Sequence, residues 1–213
     1  FDQEMKKRTH RIVRYADDIL ILCRTEQAAK KALIIATQIL EKDLKLTVNQ
    51  KKTHIAHSSK GVKFLGVEIG SKWTRIQTSK LIGFKQKVKQ LTKRNGGINL
   101  VEAIKRLNPV VRGFVNYFSI ANCKREIKAL AGWIRRRLRA IQLRLWKKPI
   151  RLHRRLKQLR YKPPFKFMKM NSWRSANSPL SSFSMPNQWF EDLGLYPIEH
   201  VNTGWLALSA FRK

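Results

Sequence analysis

Between Glu126 and Glu191 the chain carries no acidic residue, yet 17 lysines and arginines fall inside that interval. A segment so one-signed repels itself unless its charges are turned away from a packed face or met by phosphates. It therefore restricts the fold to elements with one apolar stripe and one cationic side. Ile134, Leu138, Ile141 and Leu145 supply such a stripe at helical spacing, with Arg135, Arg136 and Arg139 expected to turn away from it.

The charge is uneven along the chain. Residues 1–80 hold 17 basic against 8 acidic side chains, a net +9, and residues 81–213 hold 29 against 5, a net +24, within a 213-residue chain of formal charge +33. This argues against an ordinary metabolic enzyme and for a nucleic-acid partner. With 43% hydrophobic residues and 6 Trp the chain can still bury a core, so it is no disordered basic tail. No apolar run approaches the roughly 18 residues of a membrane span, and Phe1–His10 is charged, unlike a signal peptide. The expectation is a protein without a membrane partner. Cys23 and Cys123 stand far apart, which supports neither a disulfide framework nor a zinc ribbon and suits a reducing compartment.

Periodicity divides the chain. Arg11–Tyr15 and Ile19–Cys23 read as strands around Ala16-Asp17-Asp18, and Thr25 can cap a helix with Ala29, Leu33, Ala36 and Leu40 on one face. Leu44, Leu46 and Val48 alternate as in a strand, and Val62–Ile69 and Trp73–Ile76 read as a further hairpin. From Lys80 the period is helical: Leu81, Phe84, Val88 and Leu91 mark one helix, about Leu100–Leu107 a second, and Asn108-Pro109 opens a third. After Pro163-Pro164 the composition shifts to Ser, Asn, Pro and aromatics. The expected architecture is α+β, with domains at 1–79, 80–162 and 163–213.

Tyr15-Ala16-Asp17-Asp18 is the segment with most chemical promise. Two carboxylates at a hairpin tip offer hard oxygen ligands of the kind Mg²⁺ favours, and paired metals about 3.5–4 Å apart can serve phosphodiester chemistry. The plainer alternative is that Asp-Asp is common in turns because Asp tolerates turn geometry.

The order of Tyr15-Ala16-Asp17-Asp18, Asn49-Gln50-Lys51-Lys52-Thr53 and Phe64-Leu65-Gly66-Val67 resembles the second half of a reverse transcriptase palm. Leu107-Asn108-Pro109-Val110-Val111-Arg112-Gly113-Phe114-Val115-Asn116-Tyr117-Phe118, with Trp133-Ile134-Arg135-Arg136-Arg137-Leu138-Arg139, resembles the maturase-specific thumb of bacterial group II intron-encoded reverse transcriptases. The resemblance covers about residues 1–160, and the remainder more loosely resembles the DNA-binding region that follows the thumb.

What the resemblance implies is carried residue by residue. Asp17 matches the metal-binding carboxylate and Asp18 its neighbour, with Mg²⁺ as the implied cofactor. Lys52 matches a proton donor or charge stabiliser for pyrophosphate; its alternative is a surface lysine. Tyr15 and Ala16 would lie near the primer end, and Phe64, Leu65 and Gly66 would grip the primer strand. Arg112, Asn116, Arg135, Arg136, Arg137, Arg139, Lys147 and Lys148 would contact nucleic acid, chiefly phosphate. Trp173, Trp189 and Trp205 could stack on bases, although a Trp is more often a packing anchor. The implied partners are group II intron RNA, an RNA or DNA template-primer and a DNA target, in a bacterial cytoplasmic ribonucleoprotein that serves splicing and retrohoming.

The chain starts a few residues before the first hairpin, so the expectation is that upstream fingers and an earlier metal-binding Asp are missing and that these residues alone do not polymerise DNA. The scattered histidines and two cysteines give no nuclease metal site. An RNA-binding splicing factor, or an inactive remnant, is the alternative to part of an RNA-directed DNA polymerase.

Overall fold

A short helix, α1 (Asp2–Lys7), carries acids in its first turn and lysines in its last, the order the helix dipole favours. It leads into antiparallel β1 (Arg11–Tyr15) and β2 (Asp18–Leu22), registered from Arg11 opposite Leu22 to Tyr15 opposite Asp18. Side chains alternate across such a pair, which puts Ile12 and Ile21 on one face. That face packs, with Phe1 and Ile35, on the buried Met5, Ala36 and Ile39. The computed structural model that shows this describes residues 1–146, 148–162, 181–182 and 184–204. They fall into two compact units, Phe1–Gln77 and a second from Thr78 onward.

In the first unit, Thr25 caps α2 (Glu26–Gln38) as its sequence position suggests, the Ala28 amide donating to Oγ1 at 3.2 Å. Ala32 and Ala36 are its buried residues, so the packed stripe is set slightly round from Ala29, Leu33 and Leu40. A π-helical turn at Ile39–Asp43 ends it. The strand expected over Leu44–Val48 does not form. Lys45 takes φ +53°, which breaks an extended run, and Leu44 and Leu46 stay exposed. Three short strands follow, β3 (Val62–Phe64), β4 (Val67–Ile69) and β5 (Thr74–Ile76), in the order β3-β4-β5. The Trp73 indole lies against Gly61 and Gly70, where an added Cβ would fall 2.6 and 2.3 Å from the ring. Bare backbone at both positions lets the indole lie there.

The second unit opens with α3 (Thr78–Leu91), which buries Phe84 and Val88. One helix, α4 (Leu100–Phe118), replaces the two expected on either side of Asn108-Pro109. Pro109 lacks the N–H that would bond the Lys105 carbonyl, a cost of about 3 kcal/mol in a helix interior. Ile104, Leu107, Val111 and Val115 nevertheless form one continuous buried stripe across it, and that packing keeps the helix whole. Phe114 of α4 stacks on Phe84 of α3 with ring centroids 4.0 Å apart.

Next comes α5 (Lys124–Leu145), whose Ile134, Leu138 and Ile141 are buried as expected while Leu145 is exposed. Pro149 opens α6 (Pro149–Gln158), anchored by the fully buried Leu152 and Leu156. Residues 184–204 include α7 (Asn187–Asp192) and pack within this same unit, the Ile198–His200 turn against α4 and α5. The Pro163-Pro164 shift and the stretch 163–180 lie outside the described residues.

Candidate metal and nucleic-acid sites

Ala16 and Asp17 alone connect β1 to β2. Ala16 adopts φ +51°, a left-handed backbone that a Cβ disfavours by roughly 1–2 kcal/mol. The paired strands enforce it, and strain of this kind concentrates where a side chain must be presented in one place. What the turn presents is Asp17 and Asp18, both exposed, beside Tyr15 at 65% exposure. The carboxylate of Asp2 is taken by Arg14, whose Nε lies 2.9 Å from Oδ1 and 3.1 Å from Oδ2. Among the described residues no group of three or more His, Cys, Asp and Glu assembles as a metal cluster. Asp17 and Asp18 are therefore a two-carboxylate donor set. That suits Mg²⁺, which is commonly held by one or two carboxylates together with water and substrate phosphates.

Lys52 sits on a braced turn. The amides of Lys52 and Thr53 both donate to the Asn49 carbonyl at 3.0 Å, Thr53 Oγ1 adds a bond of 2.9 Å, and the Asn49 side chain accepts from Lys51 N at 3.1 Å. Asn49 and Thr53 thus hold the loop, and the Lys52 side chain is left exposed. Phe64, Leu65 and Gly66 belong to the tip between β3 and β4. Leu65 (φ +48°) and Gly66 (φ +79°) make a two-residue turn, the geometry that matches the twist of a hairpin. The Gly66 carbonyl accepts from Gln77 N at 3.0 Å, which ties the tip to the residue after β5.

In the second unit the arginines depart from the expected solvent-facing row. Arg139 is 4% exposed. Its Nε and Nη2 donate to the Met185 carbonyl at 3.0 and 2.7 Å, Nη2 also donates to Asn187 Oδ1 at 2.8 Å, and the guanidinium lies over the Phe190 ring. Burial, with the charges of Arg135 and Arg136 nearby, pulls its pKa down to about 10. Arg139 is thus turned inward, a correction to its expected place on the solvent face.

Its neighbours are engaged too. Arg135 pairs with Glu199 at 2.6 Å, and Arg136 donates to Ser182 Oγ at 2.9 Å. Arg137 donates to Thr92 Oγ1 at 2.6 Å and to the Thr92 carbonyl at 2.9 Å, while Arg144 donates to the Arg94 carbonyl at 3.2 Å. The last two satisfy carbonyls at and beyond the end of α3, where cations are favoured.

Arg112 and Asn116 are exposed on α4 and meet at one residue of the C-terminal segment. The Arg112 guanidinium lies 5.2 Å from the Tyr196 ring centroid, and the Tyr196 hydroxyl donates to Asn116 Oδ1 at 3.3 Å. Lys148 is exposed just before α6, and Lys147 lies outside the described residues, as do Trp173 and Trp205. Trp189 is buried and stacks on Trp146 at 5.4 Å, the packing alternative rather than base stacking. Sequence reasoning passed over two features. Asn108 bridges α4 to the C-terminal segment, donating to the Gly194 carbonyl at 2.7 Å and accepting from Tyr196 N at 3.0 Å. Arg151, Arg154 and Lys157 line the exposed side of α6; their three-residue spacing opposite Leu152 and Leu156 was the available signal.

Residues 1–69 match the family model for reverse transcriptase (RNA-dependent DNA polymerase), and residues 82–161 match the group II intron, maturase-specific domain. The chain carries the two segments of a group II intron maturase. In this maturase the Asp17-Asp18 tip, the Lys52 turn and the Phe64-Leu65-Gly66 turn all fall inside the reverse transcriptase match. Arg112, Asn116, the α5 arginines and Lys148 fall inside the maturase match. Its two segments are those of an RNA-directed DNA polymerase and an intron maturase, joined in an α+β chain, and they imply binding of intron RNA and a nucleic-acid template. No curated protein matches the chain. Among the described residues no helix is long and apolar enough to cross a membrane.

Proposed function

We propose that this maturase supplies the carboxylate-bearing end of a polymerase palm and an RNA-holding thumb to a bacterial cytoplasmic ribonucleoprotein, which assists splicing of its intron and copies RNA into DNA at a DNA target. In this reading Asp17 is the principal metal ligand and Asp18 shapes its surroundings. Mg²⁺ bound there would favour ionisation of the attacking 3′-hydroxyl and offset charge on the leaving oxygen. Tyr15 and Ala16 border the primer end, Phe64, Leu65 and Gly66 hold the primer strand, and Lys52 meets the charge that develops on pyrophosphate. Arg112, Asn116 and Lys148 belong to the RNA-contacting side of the thumb, residues 80–162. Residues 163–213 serve the DNA target.

One observation carries the reading: a reverse transcriptase segment precedes a maturase-specific domain in the same chain, and the strained turn at Ala16 exposes both carboxylates of that first segment. The test combines the chain with a separately produced fingers-and-palm fragment on a primed RNA template. Mg²⁺-dependent incorporation of labelled deoxynucleotide is expected, and Asp17→Ala should abolish it. Synthesis that survives Asp17→Ala rejects the metal assignment. Binding to the host intron should exceed binding to an unrelated RNA of equal length; equal binding counts against the splicing role.

A further inference from the structure

Of the 17 cations of the acid-free interval, six lie on α5 and four on α6. Five of the six on α5 have partners: Arg135, Arg136, Arg137, Arg139 and Arg144 each donate to an oxygen of the same unit. On α6, Arg155 donates to Gln158 Oε1 of the same helix at 3.1 Å, whereas Arg151, Arg154 and Lys157 make no such bond among the described residues. Leu152 and Leu156, fully buried, fix which side of the helix looks inward, and Arg151, Arg154 and Lys157 are exposed at three-residue intervals. Among the described residues none of the three takes part in an ion pair. Ile150, 82% exposed, stands four and seven residues before Arg154 and Lys157 and so shares their side.

This arrangement opposes the stability of α6 by itself. Like charges at neighbouring helical positions cost a few tenths of a kcal/mol per pair. The first turn of α6 has no acid, unlike that of α4 with Glu102 or α5 with Glu126, and Lys148 and Arg151 stand at its positive end instead. That is the reverse of what a helix dipole favours. A polyanion laid along the exposed side relieves both costs at once.

We propose that α6 is the phosphate-contacting helix of this unit and that it seats on the backbone of structured RNA through Arg151, Arg154 and Lys157. The α5 arginines hold the fold around it. The proposal rests on the RNA-binding reading above and names the surface that performs it. The contacts are to phosphate, so they give affinity and placement rather than sequence choice. Ile150 adds apolar area at the same contact.

The test measures RNA affinity of the full chain across a salt series. Each phosphate contact contributes roughly 0.7–0.9 to the slope of log affinity against log salt. The triple variant Arg151→Gln, Arg154→Gln, Lys157→Gln should lower that slope by about 2 to 3 and weaken binding at least about tenfold near 0.1 M salt. Its circular dichroism should match the parent's and its thermal midpoint should equal or slightly exceed it. Arg151→Lys with Arg154→Lys should keep the parental slope, because charge rather than fork geometry sets it. Arg135→Gln with Arg136→Gln should keep the slope and lower the thermal midpoint. A triple variant that binds RNA with the parental slope overturns the α6 assignment and leaves RNA binding itself intact. A slope change confined to duplex DNA overturns the choice of RNA. A parent chain with no salt-dependent RNA binding overturns this proposal and the reading beneath it together.

Discussion

Arg139 and Met185 are joined by two hydrogen bonds to one oxygen, the guanidinium Nε and Nη2 both donating to the Met185 carbonyl at 3.0 and 2.7 Å. The pair spans 46 residues of chain and fastens the segment before α7 to the middle of α5. Arg139→Ala leaves that carbonyl and Asn187 Oδ1 without this donor and opens a void beneath Phe190. A loss of roughly 1–3 kcal/mol for each acceptor left unpaired is expected. Urea unfolding checks it, with exposed Arg151→Ala, expected within about 0.5 kcal/mol of the parent, as the comparison.

Asn108 holds the next part of the C-terminal segment through both ends of its amide. Asn108→Asp keeps the acceptor for Tyr196 N and replaces the donor to Gly194 with a carboxylate oxygen facing a carbonyl. A destabilisation of about 1–3 kcal/mol should follow, with Asn108→Leu similar. Hydrogen exchange at the Tyr196 amide separates them. It should remain slowed in the Asp variant and accelerate in the Leu variant.

Gly70 and Gly61 tolerate no side chain while Trp73 stays where it is. Gly70→Ala should cost about 1–3 kcal/mol through displacement of the indole. Gly61→Ala carries the further burden of φ +81° and should cost more. The readout is tryptophan emission of a variant series in which Trp146 and Trp189 are unchanged. A red shift with Gly70→Ala is expected, and emission identical to the parent would contradict the packing described.

Cys123 is fully buried, its thiol donates to the Phe118 carbonyl at 3.3 Å, and burial first and the Glu126 charge second push its pKa up to about 11. The sign follows from which state loses the proton sooner. Above about pH 9 the unfolded chain ionises this thiol while the folded chain retains it, so its contribution to stability is whole below pH 9 and lost as pH rises through 11. Cys123→Ala should flatten that part of the stability profile. In the native chain at pH 8, alkylation should label Cys23 and spare Cys123.

Features set by neighbours along the chain are legible in the residues themselves. The Asp17-Asp18 hairpin, the Thr25 cap and α3 each follow from a local period with a local start or stop, and each is present. Features set by distant partners are not. Pro109 reads as a helix start, and only a stripe buried on both sides of it makes α4 one helix. Leu44–Val48 alternates like a strand, yet with Lys45 at φ +53° no sheet takes it. Arg139 reads as a surface cation because nothing acidic lies near it in sequence, while its acceptors lie 46 and 48 residues away. For the candidate site, the carboxylates and Lys52 stand out by type and order. The choice between α5 and α6 as the outward cationic helix depends on the fold.

The inward turn of the α5 arginines separates two things that one positive charge usually does together. A guanidinium with donors bound to protein oxygens has fewer left for a phosphate, but its charge persists, and surroundings of low polarity screen it less than water does. At low salt such charges still widen the zone from which a polyanion is drawn in. On the proposed seating of RNA along α6, the α5 charges would help set how often RNA arrives, and α6 how long it stays.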